Sequence, residues 1–215
     1  MRKVLEALRK AELKLKLEKC EFAKKQLKYL GFIVGEFGIK LDPEKVRAIV
    51  DQLAPTNQIQ IRSFLRMIGF FRNYIQEFST IAGLMTNLLA KEVPYVWGQE
   101  QQQAFEKLKQ IISTVPVLVH PDFNRPFILY MDASKKGLGA ILAQKEQDKR
   151  IHFVTFISYK NNHYERNYPI TDLKGLAVFW AVKKLKRYLR EILFTIVTDH
   201  SALKYIFIKD EILEG

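Results

Sequence analysis

Cysteine is nearly missing from this 215-residue chain, with Cys20 its single copy. A lone cysteine excludes an internal disulfide and any cysteine-based zinc site, and it fits a reducing compartment; an intracellular location, cytoplasmic or nuclear, is expected. Long apolar runs are missing too. Nothing approaches the ~18 residues of a spanning helix, so no membrane-embedded role is expected. The N-terminal MRKVLEALRKAELKLKLEKC alternates charge with Leu and has no continuous apolar segment, so no secretory signal is expected. His120, His152, His163 and His200 form no metal-binding spacing. There is no Walker-type glycine loop, and GLGAIL lacks the flanking unit of a dinucleotide fold. Internal repeats and low-complexity tracts are absent as well.

What is present is positive charge. Lys and Arg number 35 against 23 Asp and Glu, a formal +12, with a pI near 9.6. That balance points to a polyanionic partner, nucleic acid first. Residues 1–50 hold 13 basic and 7 acidic side chains, so a quarter of the chain carries half of the excess. With 48% hydrophobic residues the chain has enough apolar material for one large domain or two small ones.

Leu5, Leu8, Leu13 and Leu15 start at helical spacing and pass to alternation in LKLKLE, which predicts a short helix handing over to a strand. CEFAKKQLKYLGFIVGEFGIKLDPEK reads as strand, turn, strand, with GEFG as the turn. A helix is predicted after Asp42, with Pro43 in its first turn, ending near Pro55. The next starts at a cap on Thr56 or Asn57 and repeats Ile61, Phe64, Leu65, Ile68 and Phe71 at helical intervals; a third covers STIAGLMTNLLAK. Together they predict a small helical bundle whose aromatics are core. QEQQQAFEKLKQIIST is an amphipathic helix with Ala104, Leu108 and Ile111 on one face. From Pro126 the pattern changes to three strands, FILYMDAS, GLGAILAQKE and IHFVTFISYK, then a helix from Ile170 to Leu189, the strand FTIVTDH, and SALKYIFI as a last helix.

Asp132 and Asp199 each end an apolar strand. Strand ends combine a rigid scaffold with solvent access, so carboxylates there can converge on divalent metals. A phosphodiester-cleaving site needs more than two, because two metals ~3.5–4 Å apart must be held. Asp also follows strands simply as a turn former. The run KKLKRYLR, with Lys183, Lys184 and Arg187, reads either as a solvated helix face or as phosphate contacts that supply affinity and register without sequence choice.

YMDASKKGLGAILAQ, FISYKNNHYERNYPITDLKGLAVFWAVKKLKRYL and FTIVTDHSALKYI together resemble the ribonuclease H domain of gypsy-type LTR retrotransposon Pol polyproteins. LKLEKCEFAKKQLKYLGFIVGEFGIKLDPEKVRAI resembles the end of the reverse transcriptase palm with its primer-grip hairpin, IRSFLRMIGFFRNYIQEFS the thumb, and WGQEQQQAFEKLKQIISTVPVLVHPD the connector. The matches follow family order over nearly the whole chain. The resemblance implies an α+β and α/β architecture: palm end with primer grip at 1–41, helical thumb at 42–92, connector at 93–120, and a C-terminally incomplete ribonuclease H-like mixed sheet with flanking helices at 121–215. It implies RNA-directed DNA synthesis and Mg²⁺-dependent hydrolysis of RNA in RNA/DNA hybrids as family activities, and such a hybrid as partner. It leaves the oligomeric state open.

Residue by residue, Asp132 and Asp199 match the first and third members of the family's Asp, Glu, Asp, Asp metal set, and Leu30, Gly31 and Phe32 in YLGF match the primer grip. His200 follows the family pattern beside Asp199. The helical Glu of the family is replaced: TDLKGLAVFWAV puts Lys174 there. Opposite unit charges ~4 Å apart at an effective dielectric near 20 are worth about 4 kcal/mol, so exchanging attraction for repulsion should weaken or abolish Mg²⁺ binding. Asp172 is about 200° away around the helix and should not compensate, and Glu165, ahead of Pro169, is expected in a loop. The family's polymerase aromatic-x-Asp-Asp turn would fall before residue 1 and its fourth Asp beyond Gly215, with Asp210, Glu211 and Glu214 as poor substitutes. The expectation is a chain that binds nucleic acid with catalysis impaired; the alternatives are an active ribonuclease H within a longer polyprotein, and a non-catalytic protein-interaction remnant.

Overall fold

Leu30 and Gly31 have φ of 48° and 82°, and a two-residue turn with both central residues in the left-handed region joins antiparallel strands without splaying them. YLGF is therefore a turn in its own right. In the computed structural model, which describes residues 2–16, 18, 20–91, 93–145 and 150–199, the expected single hairpin is a three-stranded antiparallel meander: β1 (Gln26–Tyr29), β2 (Phe32–Gly35) and β3 (Gly38–Leu41). It is preceded by the helix α1 (Arg2–Lys10). The strand expected in LKLKLE does not form over residues 13–16: Leu13 and Leu15 are exposed, and among the described residues neither sheet takes up this segment, so the alternation has no partner strand there.

Asp42 caps α2 (Pro43–Val50) through its carboxylate, which accepts the Glu44 N–H at 3.1 Å. Asn57 caps α3 (Gln58–Gly69) by accepting from Gln60 N–H at 2.9 Å. α4 (Phe78–Thr86) and α5 (Gln99–Thr114) complete the helical unit. Ile61, Phe64, Ile68 and Phe71 are buried and Leu65 is partly so, as the spacing requires; Phe64 meets Phe105 of α5 with ring centroids 4.6 Å apart. α5 thus shares one core with α2, α3 and α4.

The second sheet has the order β6-β5-β4-β7, built from β4 (Phe127–Ala133), β5 (Gly137–Lys145), β6 (Ile151–Lys160) and β7 (Phe194–Val197). β4 to β6 form an antiparallel meander and β7 joins β4 in parallel. The crossover between β6 and β7 is α6 (Ile170–Lys184) and α7 (Lys186–Leu189), rather than one helix to Leu189. The break falls at Leu185, where the chain turns and buries both Leu185 and Leu189 in the core that also holds Phe127 and Leu129. The SALKYIFI helix lies outside the described residues.

The opposite face of this sheet is covered by the helical unit. Phe156 of β6 belongs to the helical core, and Ile141 and Phe153 pack against it. Ser79 at the start of α4 donates its N–H to Ser158 Oγ at 2.9 Å and its hydroxyl to Ser158 O at 3.1 Å. Lys160 Nζ reaches Asn87 Oδ1 at 2.7 Å. Gly137 allows the approach, since a Cβ there would stand 2.8 Å from Thr80 Oγ1 and 2.5 Å from Tyr159 O. Gly38 does the same for the meander: its φ is 145°, a Cβ would collide with the Leu118 carbonyl, and Ile39 exchanges two backbone hydrogen bonds with Leu118.

Candidate functional site at the end of the mixed sheet

Asp132 is the penultimate residue of β4, and Asp199 stands two residues past β7. The parallel register pairs Tyr130 with Val197; extended by two residues it sets the two carboxylates side by side. Two neighbouring anions need a cation, and α6 supplies one. Lys174, the fifth residue of that helix, places Nζ 2.9 Å from Asp132 Oδ1 and 2.6 Å from Asp199 Oδ1. Its side chain is 7% exposed, against 68% for Asp132 and 75% for Asp199. Asp132 Oδ1 also accepts the Ala133 N–H at 2.8 Å.

The electrostatics follow from this geometry. Burial pulls the Lys174 ammonium toward losing its proton, but its hydrogen bonds to Asp199 and Asp132 and their charges outweigh burial and raise its pKa above the ordinary 10.5. Lys174 is therefore a fixed cation at neutral pH. The position where the resemblance would put a metal-binding Glu holds a positive group hydrogen-bonded to one oxygen of each carboxylate, so the residues present do not fit Mg²⁺. No group of three or more His, Cys, Asp or Glu among the described residues is placed to hold a metal. Asp172 is exposed, and Glu165 is engaged elsewhere: it sits in a 3₁₀ turn, accepting from Asn162 N–H at 2.7 Å and from Tyr159 Oη at 3.2 Å. His200, Asp210, Glu211 and Glu214 lie outside the described residues.

The other sequence candidates are not drawn into this site. Lys183 and Lys184 end α6 and Arg187 lies in α7, all exposed. Lys183 lies nine helical steps beyond Lys174, about 13.5 Å at 1.5 Å per residue. Leu30 is exposed at the tip of the β1–β2 turn, and Gly31 is covered by Lys45 and Phe71, 3.5 and 3.6 Å from where a Cβ would be. Phe32 is partly buried in an aromatic cluster with Phe70, Phe71 and Tyr74, at centroid distances of 5.3 to 5.5 Å.

Sequence reasoning passed over the β4–β5 turn. Ser134 to Lys136 follow Asp132 closely, with Lys135 and Lys136 exposed. Buried Asn161 fixes the turn by donating its Nδ2 to Ser134 O at 2.9 Å and Lys135 O at 3.3 Å. The signal was present as a Lys-Lys pair between a strand-end Asp and a Gly. A cavity of about 110 Å³ lined by Gln76, Glu77, Thr80, Tyr130, Asp132 and Ser134 lies beside it, between α4 and the sheet.

Comparison with known proteins matches residues 97–196 to the RNase H-like domain found in reverse transcriptase. The chain is 41% identical over 204 residues to the retrovirus-related Pol polyprotein from transposon 297 of Drosophila melanogaster, covering 94% of this chain and 19% of the relative. It is 36% identical over 217 residues to that from transposon gypsy of the same species, covering 94% and 20%. With the transposon Tf2-3 polyprotein of Schizosaccharomyces pombe it shares 34% over 202 residues, covering 93% and 15%. The chain thus spans about a fifth or less of these relatives. Among solved structures, the foamy viral protease-reverse transcriptase in complex with RNA/DNA hybrid superposes with a TM-score of 0.73 at 18% identity, over 94% of this chain and 28% of that one. The same enzyme in complex with dsDNA gives 0.74 at 19%, over 94% and 43%. At such identity the likeness establishes the fold.

Proposed function

We propose that this chain, whose residues 97–196 match the RNase H-like domain found in reverse transcriptase and whose relatives include Pol polyproteins of LTR retrotransposons, binds nucleic acid, an RNA/DNA hybrid above all, without hydrolysing it at the Asp132/Asp199 site. One observation carries the second half: the Lys174 ammonium lies within hydrogen-bonding distance of both carboxylates. The RNase H-like family generally depends on Mg²⁺, and a buried cation at this point opposes a second one. The formal +12 and the exposed Lys183, Lys184 and Arg187 support the first half.

The finer division belongs to the same proposal: palm end with primer grip at 1–41, thumb at 42–92, connector at 93–120 and ribonuclease H-like sheet from 121. It is supported by the exposed Leu30 turn resting, through Phe32, on Phe70, Phe71 and Tyr74 of the helical unit. In this reading Leu30 and Gly31 present the turn to a strand and Phe32 seats it. No helix among the described residues is long and apolar enough to cross a membrane, and an intracellular site of action, cytoplasmic or nuclear, is part of the proposal.

Fluorescence anisotropy with a labelled hybrid and with duplex DNA, across a salt series, tests the binding; incubation of the hybrid with Mg²⁺ or Mn²⁺ tests the chemistry. The expected result is salt-sensitive binding and intact RNA. Cleavage lost on Asp132→Asn would overturn it, and would favour the second reading, an active ribonuclease H within a longer polyprotein. That reading has one observation in its favour, the small share of each relative that this chain spans.

A further inference from the structure

We propose that the Lys174 ammonium performs the structural work of a bound divalent cation, so that the end of the mixed sheet is closed by the chain itself and has become indifferent to metal. This rests on the reading of the site as one that does not hold Mg²⁺. Strand β7 is four residues long and, among the described residues, pairs with β4 alone. The chain beyond it places a carboxylate beside that of Asp132, which pushes the two strand ends apart unless a cation stands between them. Lys174 stands there, with its ammonium 2.9 Å from Asp132 and 2.6 Å from Asp199. It belongs to a third element, α6, whose neighbouring Leu173 and Ala177 pack with Ala133 and Leu138. One ammonium therefore ties α6, β4 and the end of β7 together.

An ammonium differs from Mg²⁺ in ways that matter here. It is covalently supplied, so its occupancy does not vary with solution conditions. It offers three N–H donors and no coordination sphere for substrate oxygens, so it can neutralise and position carboxylates while giving phosphate no place on a metal. The closure survives and the Lewis acid does not.

The test compares the full chain with Lys174→Met, which keeps the stem and removes the charge, and with Lys174→Glu, which puts a third carboxylate beside the other two. Thermal unfolding is measured in EDTA and in about 10 mM Mg²⁺, a concentration at which a ligand bound by the folded state with millimolar or tighter affinity raises the melting temperature. The wild type should melt at the same temperature in both. Lys174→Met should melt about 5 °C lower in both, the size expected for a partly exposed ion cluster in a chain of this length. Lys174→Glu should melt lowest in EDTA and regain about 5 °C in Mg²⁺, because a ligand bound by the folded state alone raises its stability. Should Lys174→Glu not fold in EDTA, recovery of native circular dichroism on adding Mg²⁺ counts for the proposal and its failure against. Hydrogen exchange at Phe194–Val197 should speed up in Lys174→Met. A Mg²⁺-dependent rise in the wild type, or a Lys174→Met protein as stable and as protected as the wild type, overturns the proposal. None of these readouts involves nucleic acid, so they stand or fall apart from the binding and cleavage assays.

Discussion

The two faces of the mixed sheet each carry a lysine that fastens a helix to it, and the two are opposite in character. On one face Lys174 meets two carboxylates; on the other, Lys160 meets neutral oxygens, Asn87 Oδ1 at 2.7 Å and Gly83 O at 3.5 Å. Burial lowers the pKa of Lys160, the nearby Arg166 lowers it further, and no carboxylate restores it. For Lys174 the same burial is overridden. Partner chemistry, more than depth, sets the direction in which each lysine's pKa moves.

The largest break in this comparison is removal of each ammonium. Lys174→Met should cost about 1–3 kcal/mol in urea unfolding, below the value for a fully buried pair because both carboxylates face water. Lys160→Met should cost about 0.5–1.5 kcal/mol, the net worth of hydrogen bonds partly offset by relief of burial. Equal losses would erase the distinction.

The pH dependence sharpens it with opposite signs. A folded pKa raised above 10.5 means that the Lys174 contribution is complete below 10.5 and disappears as pH rises through the folded value. A folded pKa below 10.5 means that folding expels a proton from Lys160, so stability rises with pH between that value and 10.5. Urea midpoints followed from about pH 8 to about pH 11.5 should show Lys174→Met removing the fall above 10.5 and Lys160→Met removing the rise below it.

The smallest effect on folding is expected from exposed cations whose partners are only local, Lys183 over the Phe179 ring and Arg187 against Tyr188. Lys183→Ala, Lys184→Ala and Arg187→Ala should each change stability by less than about 0.5 kcal/mol. Their mark should appear in binding: the slope of log affinity against log salt should flatten by about 0.9 for each duplex phosphate that is no longer neutralised. A triple variant with an unchanged slope would remove this segment from the nucleic-acid face.

Much of the fold was legible because local chemistry and tertiary packing agree. Asp42-Pro43 and Asn57 mark helix starts by capping rules, and the Ile61 to Phe71 stripe is buried as its spacing demands. The three long strands of the mixed sheet follow their apolar patterns. Errors came where a partner decides. LKLKLE alternates like a strand, but its residues 13–16 pair with none among the described residues, and YLGF contains a non-glycine residue at positive φ, which composition does not announce. At the site, the pattern named Asp132, Asp199 and the anomalous Lys174, and implied repulsion of metal. That the same lysine would bridge both carboxylates depended on β4–β7 register and the placement of α6, neither of which is written in any one segment.

Phe156 bears on how this chain can be divided. Its ring comes from the mixed sheet but lies in the core of the helices, with Ile141 and Phe153 packed against the same core and Val119 N–H donating to Phe153 O at 2.9 Å. Cutting near residue 120 would follow the change in sequence pattern and yet leave two halves with complementary greasy scars. The sheet is not a portable cassette: transplanted without residues 42–120, it would need a foreign cover for that face or would gather copies of itself to supply one.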